Sequence, residues 1–230
     1  MTLLQTLSTD SLTNIEGLAA AAPTKEPIGL LDLLIQGGYM MIPLYLLFVL
    51  AIFIFFERLI TLRKASSTSS HLMDQVKILV QSGQIEKAKL ICAGEKTPVA
   101  NMIAKGIERI GSPLKNIEVS IENVGKVEIY KLEKNLNLLA TVSGAAPMIG
   151  FLGTVTGMIQ AFIAIAQEEG MVSPKLLSSG IYEAMITTAA GLVVGIVAYL
   201  GYNYLVTQVS KLVHNMEYSS IEFIDLLQDK

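Results

Sequence analysis

A chain of 230 residues with 52% hydrophobic and 16% charged side chains and a mean hydropathy of +0.53 is too apolar for an ordinary soluble domain, about a quarter of which is charged. The single cysteine, Cys92, excludes an internal disulfide, and the net charge of −3 says less than the side of a membrane on which the charges lie. No nucleophile elbow, P-loop or metal-ligand spacing is present, so enzyme readings have no foothold and neither metal nor other cofactor is expected.

The charge deficit is concentrated in three runs. Residues 33–56, 135–167 and 184–210 contain no Asp, Glu, Lys or Arg. Each reaches the roughly 20 residues a helix needs to cross about 30 Å of hydrocarbon. The expected fold is therefore an all-α membrane protein with three transmembrane helices.

Residues 1–38 read as an external N-terminal tail. The opening MTLLQTLSTDSLTNIEGLAAAAP lacks the basic start of a signal peptide, and Ser, Thr, Asp and Asn break up its apolar residues. In PIGLLDLLIQGG, too short to span, Ile28, Leu31, Leu34 and Ile35 share a helical spacing suited to a short interfacial helix. The first span is placed at 39–62. Its YLLFVLAIFIFF is bulky, with almost no small residue for close helix contact, which marks a lipid-facing outer helix. FERLITLRK then exits the bilayer.

Residues 63–137 form a polar helical insert. Gly83, Gly94 and Gly111 supply stops, and TPVAN and SPLKN supply starts with proline in the first turn. Ile117, Ile121, Val124, Leu132, Leu136 and Leu139 keep approximately one face, which predicts a long helix running on from the insert into the second span. Cys92 reads as a small buried apolar side chain, and His71 as solvated surface. Of the 17 Lys and Arg, 13 lie between Arg58 and Lys134. The positive-inside rule thus places the insert and the C-terminus in the cytoplasm and the N-terminus outside.

The second span, 138–166, differs in kind from the first. Gly150, Gly153 and Gly157 offer a surface that another backbone can approach, with Gly153 and Gly157 forming GxxxG. Thr141, Ser143, Thr154 and Thr156 add hydroxyls. A short external loop, 167–176, leads to the third span, 177–206, in which Gly191 and Gly195 repeat the small-residue design; residues 207–230 form a cytoplasmic tail. Between Lys175 and Lys211 the only charged residue is Glu183. A carboxylate costs several kcal/mol, roughly 2.5 or more, on entering a bilayer. Glu183 and Thr187 share one helical face with Gly180 and Gly191, and Thr188 lies about 140° round from Glu183. Such a carboxylate either fixes packing or serves an ion pathway, and the pathway role is the default for intramembrane carboxylates.

These motifs carry a resemblance. APMIGFLGTVTGMIQAF followed by GIYEAMITTAAGLVVGIVAYLGYN resembles the MotA/TolQ/ExbB proton-channel family. The three-span layout and FERLITLRK are similar to its ExbB/TolQ branch, the likeness covering nearly all of the chain after about residue 28. The resemblance implies a pentameric ring in the bacterial inner membrane, with spans two and three extended into a helical cytoplasmic domain. It further implies ExbD- or TolR-like single-span partners inside the pore, protons as the coupling ion and a TonB-like energiser of outer-membrane transport. The family's span-three glutamate falls on Glu183, its span-three threonine on Thr188 and its span-two threonine on Thr154. Thr187 is added to this pore-lining set because it shares the face of Glu183. One departure is Val197, where the family often has proline, which predicts a straighter inner half of the third span. No nucleic-acid partner is expected. The motifs leave ExbB-like and TolQ-like roles both open, with a stand-alone channel or a scaffold as the alternatives from other classes.

Overall fold

A computed structural model describes residues 37–66, 69–167 and 174–228. The expected interfacial helix and N-terminal tail fall outside these residues, as does most of the loop after the second span. Seven helices are described: α1 (Met41–Ser66), α2 (Ser69–Gln81), α3 (Ile85–Gly94), α4 (Pro98–Glu108), α5 (Leu114–Glu133), α6 (Leu136–Gln167) and α7 (Pro174–Gln228). No strand occurs among the described residues apart from an isolated bridge between Ile110 and Ser112. Three helical stretches, in α1, in α5–α6 and in α7, are long and apolar enough to cross a membrane. The chain is an all-α, multi-pass membrane protein.

Helix α7 has 55 residues, about 80 Å at 1.5 Å per residue, far more than the bilayer requires. It runs unbroken through Val197, as a span without proline should. Its second half leaves the apolar zone as the spine of the insert. Leu205, Val209, Leu212, Met216 and Phe223 are buried at three-, four- and seven-residue spacing, the stripe by which one helix face meets a core. Helices α2, α4 and α5 pack against this spine. At the far end, a Cβ added at Gly106 would lie 2.6 Å from Phe223 and 2.7 Å from Ile121, so only glycine lets α4 approach so closely.

The punctuation of the insert follows its turn residues. Gly83 (φ 75°) and Gly111 (φ 99°) occupy left-handed positions after α2 and α4, and α3 ends at Gly94. Thr97 caps α4, its hydroxyl accepting from the Ala100 N–H at 3.3 Å, with Pro98 in the first turn. Cys92 is buried, and desolvation pushes its thiol up to about 11, as a structural cysteine requires.

The long insert-to-span helix predicted from the sequence is instead two helices. Lys134 is extended (ψ 137°) and Asn135 left-handed (φ 64°), which separates α5 from α6; asparagine adopts this conformation more readily than most residues. A buried charge braces the break. Arg58, near the end of α1, is 4% exposed. Its Nε and Nη2 donate to the Glu57 carboxylate, each at 2.9 Å, and its Nη1 donates to the Lys131 carbonyl at 3.2 Å. That carbonyl lies in the last turn of α5, where helix carbonyls lack intrahelical partners.

Helix α1 has two faces. Ile42, Leu46, Val49, Phe53, Phe56 and Ile60 form an exposed apolar stripe, the surface expected to meet lipid. Its buried side includes Leu44, Ala51 and Ile54, and Phe55 lies over Gly201 of α7, 3.0 Å from where a Cβ would stand.

Candidate functional site

Small residues determine how α6 and α7 meet. A Cβ added at Gly157 would lie 2.8 Å from the Ala184 Cβ, and one at Gly150 would lie 3.1 Å from the Gly191 Cα. One at Gly191 would lie 2.7 Å from the Ala146 carbonyl oxygen, and one at Gly195 only 2.6 Å from the Pro147 ring. At Gly153 it would run into the Thr187 methyl group. Positions rise along one helix as they fall along the other, so the pair is antiparallel and in backbone contact over several turns. All five glycines expected to mediate packing lie in this seam.

The register fixes relative depth. Gly153 faces Thr187, so Thr154 lies at the level of Thr187 and Thr188. Ala184 faces Gly157, which puts its neighbour Glu183 at that level, five residues or about 7.5 Å along the axis from Thr188. The two threonines expected from the resemblance share a depth, and the carboxylate lies nearer the Gly37 end.

Their hydroxyls have different partners. Thr188 donates across the seam to the Gly150 carbonyl at 2.8 Å. Thr154, half-buried beside the exposed Phe151 and Val155, donates to the Phe151 carbonyl of its own helix at 2.6 Å. Thr187 is 1% exposed. Its hydroxyl lies 3.0 Å from the Gly37 carbonyl and 2.9 Å from the Glu183 carbonyl, a proton shared between two acceptors. The structure thus joins Glu183 and Thr187 in one place and Thr188 with Gly150 in another, while Thr154 faces a third surface at matching depth.

The half-buried Glu183 side chain turns toward the segment that enters α1. Gly38 is left-handed (φ 66°), and a Cβ there would collide with Glu183 Oε1. A crevice of about 10 Å³ runs beside the carboxylate; Tyr39, Thr156, Gln160 and Thr187 contribute polar groups to its lining. That is about the space of one water molecule. The sequence reading missed Gly37, Gly38 and this polar lining. The available signal was the glycine pair before the span, which reads as a turn, although nothing in the chain says which side chain the turn will meet. Among the described residues, no three His, Cys, Asp or Glu side chains come together as a metal site would require.

Comparison with known proteins identifies the family. Residues 94–218, more than half of the chain, match the model of the MotA/TolQ/ExbB proton channel family. The chain is 32% identical over 193 residues to an ExbB-like 1 biopolymer transport protein of Synechocystis, covering 77% of this chain and 71% of that one. It is 39% identical over 109 residues to the biopolymer transport protein ExbB of Aquifex aeolicus, covering 46% and 71%. To the Tol-Pal system protein TolQ of Haemophilus influenzae it is 40% identical over 83 residues, 36% of each chain. The matched segment contains the glycine seam, Glu183 and the three threonines, and the chain therefore belongs to the MotA/TolQ/ExbB proton channel family.

Proposed function

We propose that this chain is the ring-forming subunit of an ExbB-like motor in the bacterial inner membrane. Five copies enclose single-span ExbD-like helices, and proton-motive force acting on that assembly drives a TonB-like energiser of outer-membrane transport. The N-terminus lies outside and the insert in the cytoplasm, because 13 of 17 basic residues lie in the stretch from Arg58 to Lys134.

The observation that carries this reading is Glu183, a half-buried carboxylate in an otherwise charge-free span, turned toward protein and a polar crevice. Such a group defaults to an ion relay. In the proposed cycle Glu183 exchanges the proton, Thr154 and Thr188 present hydroxyls at one depth to a titrating partner group, and Thr187 holds the helix turn that carries the carboxylate. One charge crossing 100 mV releases about 2.3 kcal/mol, so several protons per step suffice for mechanical work. The similarity to TolQ over the segment holding this site favours a second reading, a TolQ-like subunit serving envelope integrity with the same chemistry.

Glu183→Gln tests the proposal. Glutamine keeps the volume and hydrogen-bonding capacity and removes titration alone, so assembly should persist while energised transport or envelope function is lost. Full function in cells carrying the variant would make Glu183 a structural group.

A further inference from the structure

We infer that the Gly37–Gly38 turn seats the Glu183 carboxyl and guards its proton access, so that exchange with the nearer membrane face runs past Gly38. The inference rests on the proposed role of Glu183 and adds the element that controls it.

Three observations converge on the turn. Gly38 has a φ of 66°, and the space a side chain would take is filled by the Glu183 carboxyl: Oε1 overlaps it and Cδ stands 2.8 Å away. The backbone of one segment is therefore the wall of the carboxyl's seat on another. Next, the Gly37 carbonyl and the Glu183 carbonyl accept from the same Thr187 hydroxyl, at 3.0 and 2.9 Å. That one buried group ties the turn to the helical turn bearing the carboxylate. Finally, the crevice between them holds about 10 Å³ and is bordered by Tyr39, Thr156 and Gln160. It has room for about a single water with polar neighbours, so a proton can pass between the turn and the carboxyl by one water. Gly38 and Thr187 are positioning residues in this scheme, acting through Glu183.

Access to the carboxyl can be read without transport. The full-length chain in native membranes is treated with dicyclohexylcarbodiimide, which modifies protonated carboxyls in apolar surroundings, and the rate at Glu183 is followed by peptide mass. Glu183→Gln gives the zero. Gly38→Ala drives a methyl into the carboxyl's seat, and Thr187→Val conserves shape while removing the tie to Gly37. Thr187→Val should change the labelling rate about fivefold, the factor expected from one net hydrogen bond, and Gly38→Ala, which displaces the carboxyl, at least as much, with folded protein still in the membrane. Unchanged rates in folded variants would overturn the inference, and if Gly38→Ala fails to fold, Thr187→Val decides. Neither partner nor gradient is needed, so a failure here is separable from failure of the motor reading, which Glu183→Gln tests in cells.

Discussion

Thr188 gives its hydroxyl proton to a carbonyl of the neighbouring span, whereas Thr154 keeps its own within one turn of its helix. The two residues look alike in sequence and differ in what their loss should do. Thr188→Val removes an interhelical hydrogen bond, worth on average about 0.6 kcal/mol inside a membrane, and should lower the melting temperature of the purified protein slightly. Thr154→Val deletes no hydrogen bond between helices and should melt like the parent. Both should depress proton-driven work while protein levels stay near normal. If Thr154→Val lowers melting as much as Thr188→Val does, the two hydroxyls do not differ in the way their partners indicate. The identity of Glu183 as the exceptional residue was legible because charge in an apolar run is visible without any structure. That its carboxyl rests on Gly38 was not, since the contact joins positions 145 residues apart and depends on a turn that leaves no periodic signal.

Between elements, the question becomes why α6 and α7 pair so closely while α1 stays largely peripheral. Apolar side chains gain little by leaving lipid for protein, so close backbone approach and hydrogen bonds must hold spans together. Glycine supplies that approach at defined positions only. Gly191→Ala would place a methyl 2.7 Å from the Ala146 carbonyl oxygen and 2.8 Å from the Gly150 Cα, both backbone atoms that cannot swing away. Overpacking of this kind costs about 1–3 kcal/mol. Gly144→Ala meets nothing within 4 Å and should be neutral or slightly stabilising, since alanine favours a helix over glycine. Thermal melting of the two variants in the same detergent checks the contrast; equal destabilisation would mean that the seam does not govern the pairing. The seam itself was readable from small-residue spacing, and the spans from charge-free runs. The break between α5 and α6 was not, because Lys134 and Asn135 lie in a segment whose apolar periodicity continues on both sides. What sets the break is tertiary: the buried Arg58 guanidinium takes the Lys131 carbonyl at the end of α5.

At the scale of the whole molecule, the three spans bury only part of their surface within one chain. On α6, Phe151, Leu152, Val155, Ile159 and Phe162 are exposed, and the half-buried Thr154 lies among them. Copies arranged as a ring would bring such faces around an axis and leave the Thr154 hydroxyls near it. An axis lined in this way, with nothing inside, would be either water-filled and leaky or collapsed, and a leak would dissipate the gradient on which the proposed work depends. Helices from another polypeptide are therefore expected to fill it. They should carry an acidic residue at the depth shared by Thr154 and Thr188, because those hydroxyls otherwise face no titrating neighbour. Expressing this chain alone and together with a small single-span protein encoded beside it, then comparing native mass and proton uptake into vesicles, tests the expectation. The pair should co-purify with several copies of this chain per partner helix, and proton flux should require the partner. A chain that conducts protons selectively by itself and binds no single-span protein would be a channel in its own right, and the motor assignment would fall.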